Sequence, residues 1–365
     1  MKVECVQEKL QKILAQAERV AGKNLNLAVL SCVLLKATNG QLEIRATNLE
    51  LGFYACLPAK VEEEGVLAVP AGTISSFVSN LQGEKSLKLK SEESTLLVSA
   101  AKSRATIKCL PSDDFPIIPE LSKEHFFEIT AGDFVKGLKS VWYSASVSSI
   151  KAELASVFIY PEDGSVVFAA TDSFRLAEKK VKTKSAEFDH ILIPFKNTLE
   201  IARFLENADG KVEIRLSKNQ MSLTLGGNHL ISRVIDGVFP DYRQIVPKEF
   251  KTEAVLLKED LAQSLKIANI FSDSFNQVSF AIKPAEKKFE LTTKNANLGE
   301  NSTLLDAALS GDNIEVSFNY RYITDCLQSI DADSVSISFG GPGKPAVIRG
   351  VGDSGFTYLV MPMNR

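Results

Sequence analysis

The chain has 365 residues, 45% of them hydrophobic and 24% charged, which is ordinary globular usage and enough for roughly two to three domains. A formal net charge of −3 excludes a polycation that holds nucleic acid by global attraction, so any such contact has to come from local placement of Lys and Arg. No run approaches the ~20 apolar residues of a bilayer span, and the opening MKVECVQEKLQK is charged and lacks an apolar signal core, so a cytoplasmic location and no membrane partner are expected. Five cysteines, odd in number, scattered and without a CxxC pair, argue against a disulfide framework or a zinc site.

Taken in chain order, the elements repeat. Residues 8–22 read as an amphipathic helix, with Leu10, Ile13, Leu14, Ala17 and Val20 at i, i+3, i+4, i+7 spacing. Lys9, Lys12, Arg19 and Lys23 fall on another face of it. Two strand-like runs follow, then a second helix over 69–81, then alternating strands at 86–90 and 96–98. The order recurs with a helix over 133–146, where Phe134, Leu138 and Val141 form the apolar stripe and Lys136 and Lys139 lie off it. A second helix over 194–205 carries Lys196 and Arg203, and strands are expected at 212–216 and 221–225. A third round places helices over 259–272 and 318–330, and a strand at 335–339. The period is about 120 residues, long enough for each copy to bury its own core. The expectation is an α+β chain of three tandem similar domains, at 1–120, 121–247 and 248–365, each with two helices packed on antiparallel sheet. Pro-rich stretches at 110–119 and 239–247 mark the seams and read as stiff connectors.

Motifs that suggest catalysis lack their partners. Gly352-Asp353-Ser354-Gly355 has no His in a suggestive context among His125, His190 and His229, so a turn is the better reading. Gly340-Gly341-Pro342-Gly343-Lys344 is followed by Pro345 and a strand-like run, not by Ser or Thr and a helix, so it reads as a hairpin turn. No metal set and no cofactor motif is present, and a non-enzyme is expected. On the residues alone, each lysine-bearing helix face reads first as an ordinary solvated face, and Met361 and Met363 read first as closing the last strand against the core.

Four stretches then become diagnostic together: Ala170-Thr171-Asp172-Ser173-Phe174-Arg175-Leu176-Ala177, Phe239-Pro240-Asp241-Tyr242-Arg243, Phe318-Asn319-Tyr320-Arg321-Tyr322 and Val360-Met361-Pro362-Met363. With them the whole chain resembles the bacterial sliding-clamp family, the beta subunits of DNA polymerase III. The resemblance implies a head-to-tail homodimer closing into a six-domain ring, with helices lining the hole. It implies a processivity factor that encircles duplex DNA without reading sequence and is loaded by a clamp loader. It also implies tethering of the DNA polymerase III catalytic subunit and of other proteins carrying a clamp-binding motif. By the same resemblance Lys9, Lys12, Arg19, Lys23, Lys136, Lys139, Lys196 and Arg203 would face DNA. Ala105 and Ile107 would meet Ile270 and Phe271 across the dimer seam. A partner-peptide groove would comprise Leu154, Thr171, Ser173, Phe174, Arg175, Leu176, Pro240, Gln244, Ile245, Val246, Asn319, Tyr322, Ala346, Leu359, Met361, Pro362 and Met363. In it Leu176, Met361 and Met363 would form the apolar floor, and Arg175 and Asn319 would fix the peptide backbone. Ser173-Phe174 stands where the family commonly has Gly-His, Gln244 replaces a common Arg, and Asn364-Arg365 replaces a common Arg-Leu ending. Two other readings stay open: a clamp-like monomer that binds partners without closing, and an enzyme whose site is not visible in one sequence.

Overall fold

A computed structural model describes every residue except 23–26, 82, 120–125, 184–187, 207 and 364–365. Among the described residues the helices are α1 (Gln7–Val20), α2 (Ala71–Ser79), α3 (Ala131–Val141), α4 (Phe195–Leu205), α5 (Lys258–Ile270) and α6 (Tyr320–Leu327). All six fall where the periodicity predicts them. α3 stops sooner than expected, at Val141, and tightens into the 3-10 turn Trp142–Ser144. The tighter turn brings the Tyr143 ring within 6.2 Å of the buried Tyr358 ring.

The described chain divides into two compact units, Met1–Gly132 with Lys196–Val234, and Asp133–Phe195 with Ile235–Arg365. The central repeat is therefore shared between them, and the reason lies in the sheets.

In the first unit, a five-stranded antiparallel sheet runs Lys60–Glu63, Lys2–Val6, Ser86–Glu92, Thr95–Ser99, Arg104–Lys108. An eight-stranded sheet runs Phe126–Thr130, Lys211–Leu216, Gln220–Leu225, Asn228–Arg233, Leu51–Pro58, Gln41–Thr47, Cys32–Thr38, Gly65–Pro70. Strands of the first and second repeats thus pair directly, with His229 opposite Tyr54 and Ser232 opposite Leu51. α1 buries Leu10, Ile13, Leu14, Ala17 and Val20. A large aliphatic side chain taken wholly out of water contributes about 1.5–3 kcal/mol, so this stripe holds the helix down. Buried Gln7 donates from Nε2 to the Val78 carbonyl at 2.9 Å and so satisfies a C-terminal carbonyl of α2.

In the second unit, a nine-stranded sheet runs Ile191–Pro194, Ser156–Glu162, Ser165–Thr171, Arg175–Lys182, Phe356–Val360, Ala346–Gly350, Ser334–Phe339, Thr252–Leu257, Ala307–Gly311. A four-stranded sheet runs Gly299–Leu305, Lys288–Asn295, Gln277–Lys283, Ile314–Asn319. Gly137 of α3 lies directly against Phe168, where a Cβ would overlap the ring. Phe339 pairs with Ala346 across the glycines at 340–343, so that motif is a hairpin turn. The glycines at 352 and 355 belong to the connection between Ala346–Gly350 and Phe356–Val360.

Both Pro-rich connectors are pinned by apolar contacts as well as by proline. Phe115 is buried beside Val29, Cys32 and Ala68, and Leu110 donates its amide to the Ala68 carbonyl at 2.9 Å. Phe239 stacks on Phe158 with 4.7 Å between ring centres and 7° between planes. No helix among the described residues is long and apolar enough to cross a membrane.

Candidate functional site

The residues expected in the peptide groove all lie in the second unit, and most of them form one neighbourhood. Its centre is the connection between Ser165–Thr171 and Arg175–Lys182. Thr171 donates its Oγ1 proton to the Arg175 carbonyl at 2.7 Å and accepts from the Ser173 amide at 3.2 Å. Asp172 Oδ1 accepts from the amides of Phe174 and Arg175 at 2.9 and 3.0 Å. These bonds hold Ser173 at φ +77°, a left-handed conformation that favours glycine. The loop turns Phe174 outward, where it is 61% exposed. The chain's last strand closes against it. Arg175 pairs with Val360 and Leu176 with Leu359, and the Met361 amide donates to the Phe174 carbonyl at 2.8 Å.

Burial sorts the predicted residues. Phe174, Ser173, Pro240, Gln244, Ile245 and Met361 are exposed, and Val246, Tyr322, Pro362 and Met363 are half-buried. Leu154, Thr171, Ala346 and Leu359 are buried. Leu176, expected in the apolar floor, lies below the surface: it is 1% exposed, packed in one cluster with Ala169, Leu192, Phe239, Tyr242, Val347 and Leu359, with Val246 against it. Met363 donates its amide to the Ser317 carbonyl at 2.8 Å, so the tail leaves the last strand and follows Ile314–Asn319.

Arg175 and Asn319, expected to fix a peptide, are engaged internally. Arg175 donates from Nε to Asp172 Oδ2 at 3.0 Å and from a terminal nitrogen to Asp325 Oδ2 at 2.6 Å. Its guanidinium stands 4.4 Å from the Tyr322 ring centre. Burial works against its charge, but Tyr358 and the Asp325 and Asp172 carboxylates outweigh it and raise its pKa further. Asn319 is the N-cap of α6, its Oδ1 accepting from the Arg321 amide at 3.0 Å. Arg175 is thus tied to α6, the helix that Asn319 starts.

A polar clasp missed in the sequence fixes the connector. Tyr160 and Tyr242 share a hydroxyl–hydroxyl bond of 2.8 Å, Tyr242 donates to Glu178, and Arg243 donates to Tyr160 at 2.7 Å and to Glu162. Burial, followed by the Glu178 carboxylate, pushes the Tyr242 hydroxyl far up and keeps it a neutral donor. The one legible signal was the spacing of Tyr242 and Arg243 after Phe239-Pro240.

The residues expected to face DNA are on helix surfaces. Lys9, Lys12 and Arg19 are exposed on α1, Lys136 and Lys139 on α3, and Lys196 and Arg203 on α4. Lys12 pairs with Glu8 at 2.8 Å, Lys136 with Asp331 at 2.6 Å, and Arg203 with Glu200. Exposed pairs of this kind contribute roughly 0–1 kcal/mol. Lys23 lies outside the described residues. At the expected seam, Ala105 is half-buried on Arg104–Lys108, an edge strand. Ile107 corrects the expectation: it is 5% exposed, turned into its own unit opposite Leu96, and cannot present a side chain to a partner. Ile270 is 63% exposed at the end of α5, and Phe271 is half-buried behind it. Leu304, on the edge strand Gly299–Leu305, is 66% exposed and was not anticipated.

Comparison with known proteins then decides the family. Residues 1–119 match the N-terminal domain of the DNA polymerase III beta subunit, 128–241 its central domain and 243–364 its C-terminal domain. The chain belongs to the DNA polymerase III beta subunit family. Among its relatives, the beta sliding clamp of Synechococcus elongatus is 27% identical over 100% of this chain and 99% of that protein. The DNA polymerase III beta subunit structure from Thermotoga maritima aligns with a TM-score of 0.94 at 25% identity, over 100% of this chain and 99% of that one. The DnaN sliding clamp of Pseudomonas aeruginosa bound to griselimycin aligns with a TM-score of 0.94 at 25% identity, over 100% of both chains. The fold is the three-domain clamp fold of the family. The chain is a DNA sliding clamp, a non-catalytic processivity factor of DNA replication.

Proposed function

We propose that two copies of this chain close head to tail around duplex DNA, and that each groove tethers a short motif from the polymerase catalytic subunit or another replication protein. The observation that carries closure is a pair of sheet edges left without a neighbouring strand among the described residues of one chain. Arg104–Lys108 ends one sheet and Gly299–Leu305 ends another, with Ile270 and Leu304 exposed at the second. Such edges seek a strand, and a head-to-tail partner supplies one to each. The groove suits several partners, because Met361, Phe174 and Ile245 make an adaptable apolar surface with few fixed donors. Lys9, Lys12, Arg19, Lys136, Lys139, Lys196 and Arg203 are the DNA-facing set, and an ATP-dependent clamp loader opens the ring in the cytoplasm.

Retention by topology differs measurably from adhesion. Each phosphate neutralised contributes a log–log salt slope near −0.9, so direct ion pairs fail in high salt. Protein loaded on a circular duplex should survive a high-salt wash and leave once the circle is cut. Equal loss from closed circles and linear DNA would sink the encircling mechanism.

A further inference from the structure

The loop that builds the peptide groove occurs twice. In the first unit, Thr47 donates Oγ1 to the Leu51 carbonyl at 2.7 Å and accepts from the Leu49 amide at 3.0 Å. Asn48 Oδ1 accepts from the amides of Glu50 and Leu51 at 3.0 and 2.7 Å. Leu49 is held at φ +76°, against +77° for Ser173. The Arg233 amide donates to the Glu50 carbonyl at 2.9 Å, as Met361 does to Phe174 at 2.8 Å. A buried Phe before a proline anchors the connector in both places, Phe115 here and Phe239 there. Residue for residue, Leu49 takes the place of Ser173, Glu50 of Phe174 and Arg233 of Met361.

A cleft of about 350 Å³ opens at this second copy, lined among others by Leu49, Leu51, Ile117, Ile118, Asn219 and Arg233. Small-ligand sites begin near ~300 Å³. Leu49 and Ile117 stand exposed at its mouth, at 54% and 89%. Gly52 lets Ile118 come in close, because a Cβ there would lie 2.9 Å from Ile118 Cγ2. A leucine held left-handed is strained, and such strain gathers at binding sites. Among the described residues, Arg233 is the one cation of the lining, and Glu50 lines the cleft beside it. Its bond to Glu50 is 3.2 Å, with the two side chains 60% and 50% exposed, so an incoming carboxylate can take Glu50's place.

We infer that this cleft is a second peptide-docking site on each chain, taking a short extended segment with a Leu or Phe anchor beside a carboxylate. The apolar walls receive the anchor and Arg233 pairs with the acid. The peptide class rests on the groove reading above, whereas the cleft and its charge stand independently of it.

The test uses the full-length protein and a labelled peptide, acetyl-Ser-Leu-Asp-Leu-Phe with a free carboxylate, in equilibrium binding with stoichiometry. About two peptides should bind per chain. Ile117→Asp, at an exposed position, should remove one site, and Met361→Asp the other. Arg233→Glu should weaken the first-unit site at least ~10-fold for this peptide, and much less for an amidated peptide with Ser in place of Asp. One peptide per chain, lost with Met361→Asp alone, would overturn the inference and leave the groove intact. One peptide, lost with Ile117→Asp alone, would uphold the inference and overturn the groove reading. No binding at all would overturn both.

Discussion

Leu176 and Met361, both assigned to the proposed groove, differ in burial. Leu176 is 1% exposed and sits in a packed cluster, whereas Met361 is 36% exposed on the surface. Leu176→Ala should lower stability by about 2–4 kcal/mol in denaturant unfolding, through lost transfer energy and a residual cavity. Met361→Ala should leave unfolding nearly unchanged and weaken a Leu- and Phe-bearing peptide about tenfold in calorimetry. Unaltered unfolding of Leu176→Ala would overturn the reading of Leu176 as a tightly packed support. Arg175 shows the same separation. Its chemistry suggests a ligand contact, yet its side-chain hydrogen bonds run to Asp172 and Asp325, so its role is to lock the loop against α6.

At the scale of elements, the connector after the central repeat is held by the clasp around Glu162. The hydrogen bond from Lys180, at 2.8 Å, does most to hold the Glu162 carboxyl below its usual range; burial opposes it, and Arg243 adds to it. The folded-state pKa is depressed, so this stabilisation is present above the ordinary carboxylate pKa of about 4.3 and is lost as pH falls through the folded value. The melting temperature of the wild type should therefore fall more steeply between about pH 5 and about pH 3 than that of Glu162→Gln. Parallel curves would show that the clasp does not contribute. The helices were legible because each buries one stripe, as Leu10, Ile13, Leu14 and Ala17 do, and local periodicity records that. The clasp was not, because Tyr160, Glu178 and Tyr242 are brought together only by strand pairing and the return of the connector. The inward turn of Ile107 was equally hidden: on a short strand, period-2 alternation does not say which face is the core. The groove loop was found through its motif, while its near-duplicate at Thr47–Leu51 shares hydrogen bonds but few side chains.

For the whole molecule, the proposed closure rests on the two sheet edges and on Ile270 and Leu304. The expected solution mass is about twice the 39.9 kDa of one chain at micromolar concentration. Ile270→Asp with Leu304→Asp should reduce it toward one chain with the circular dichroism spectrum unchanged, because both side chains are solvent-exposed within the chain. Ile107→Asp is unsuitable for this purpose, since it would place a charge in a packed interior. A wild-type monomer by light scattering would favour a clamp-like module that binds partners without closing.

The sharing of the central repeat between two compact units also bears on how the chain is made. Leu51–Pro58 awaits Asn228–Arg233, and residue 54 meets residue 229 about 175 positions later. At a bacterial-type elongation rate of roughly 5–20 residues per second, that edge stands bare for roughly 10–35 s. Leu176 awaits Leu359 for about as long. Each nascent chain therefore emerges with two unfinished seams, both rich in apolar strand, and Phe356–Val360 is the strand that seals the second.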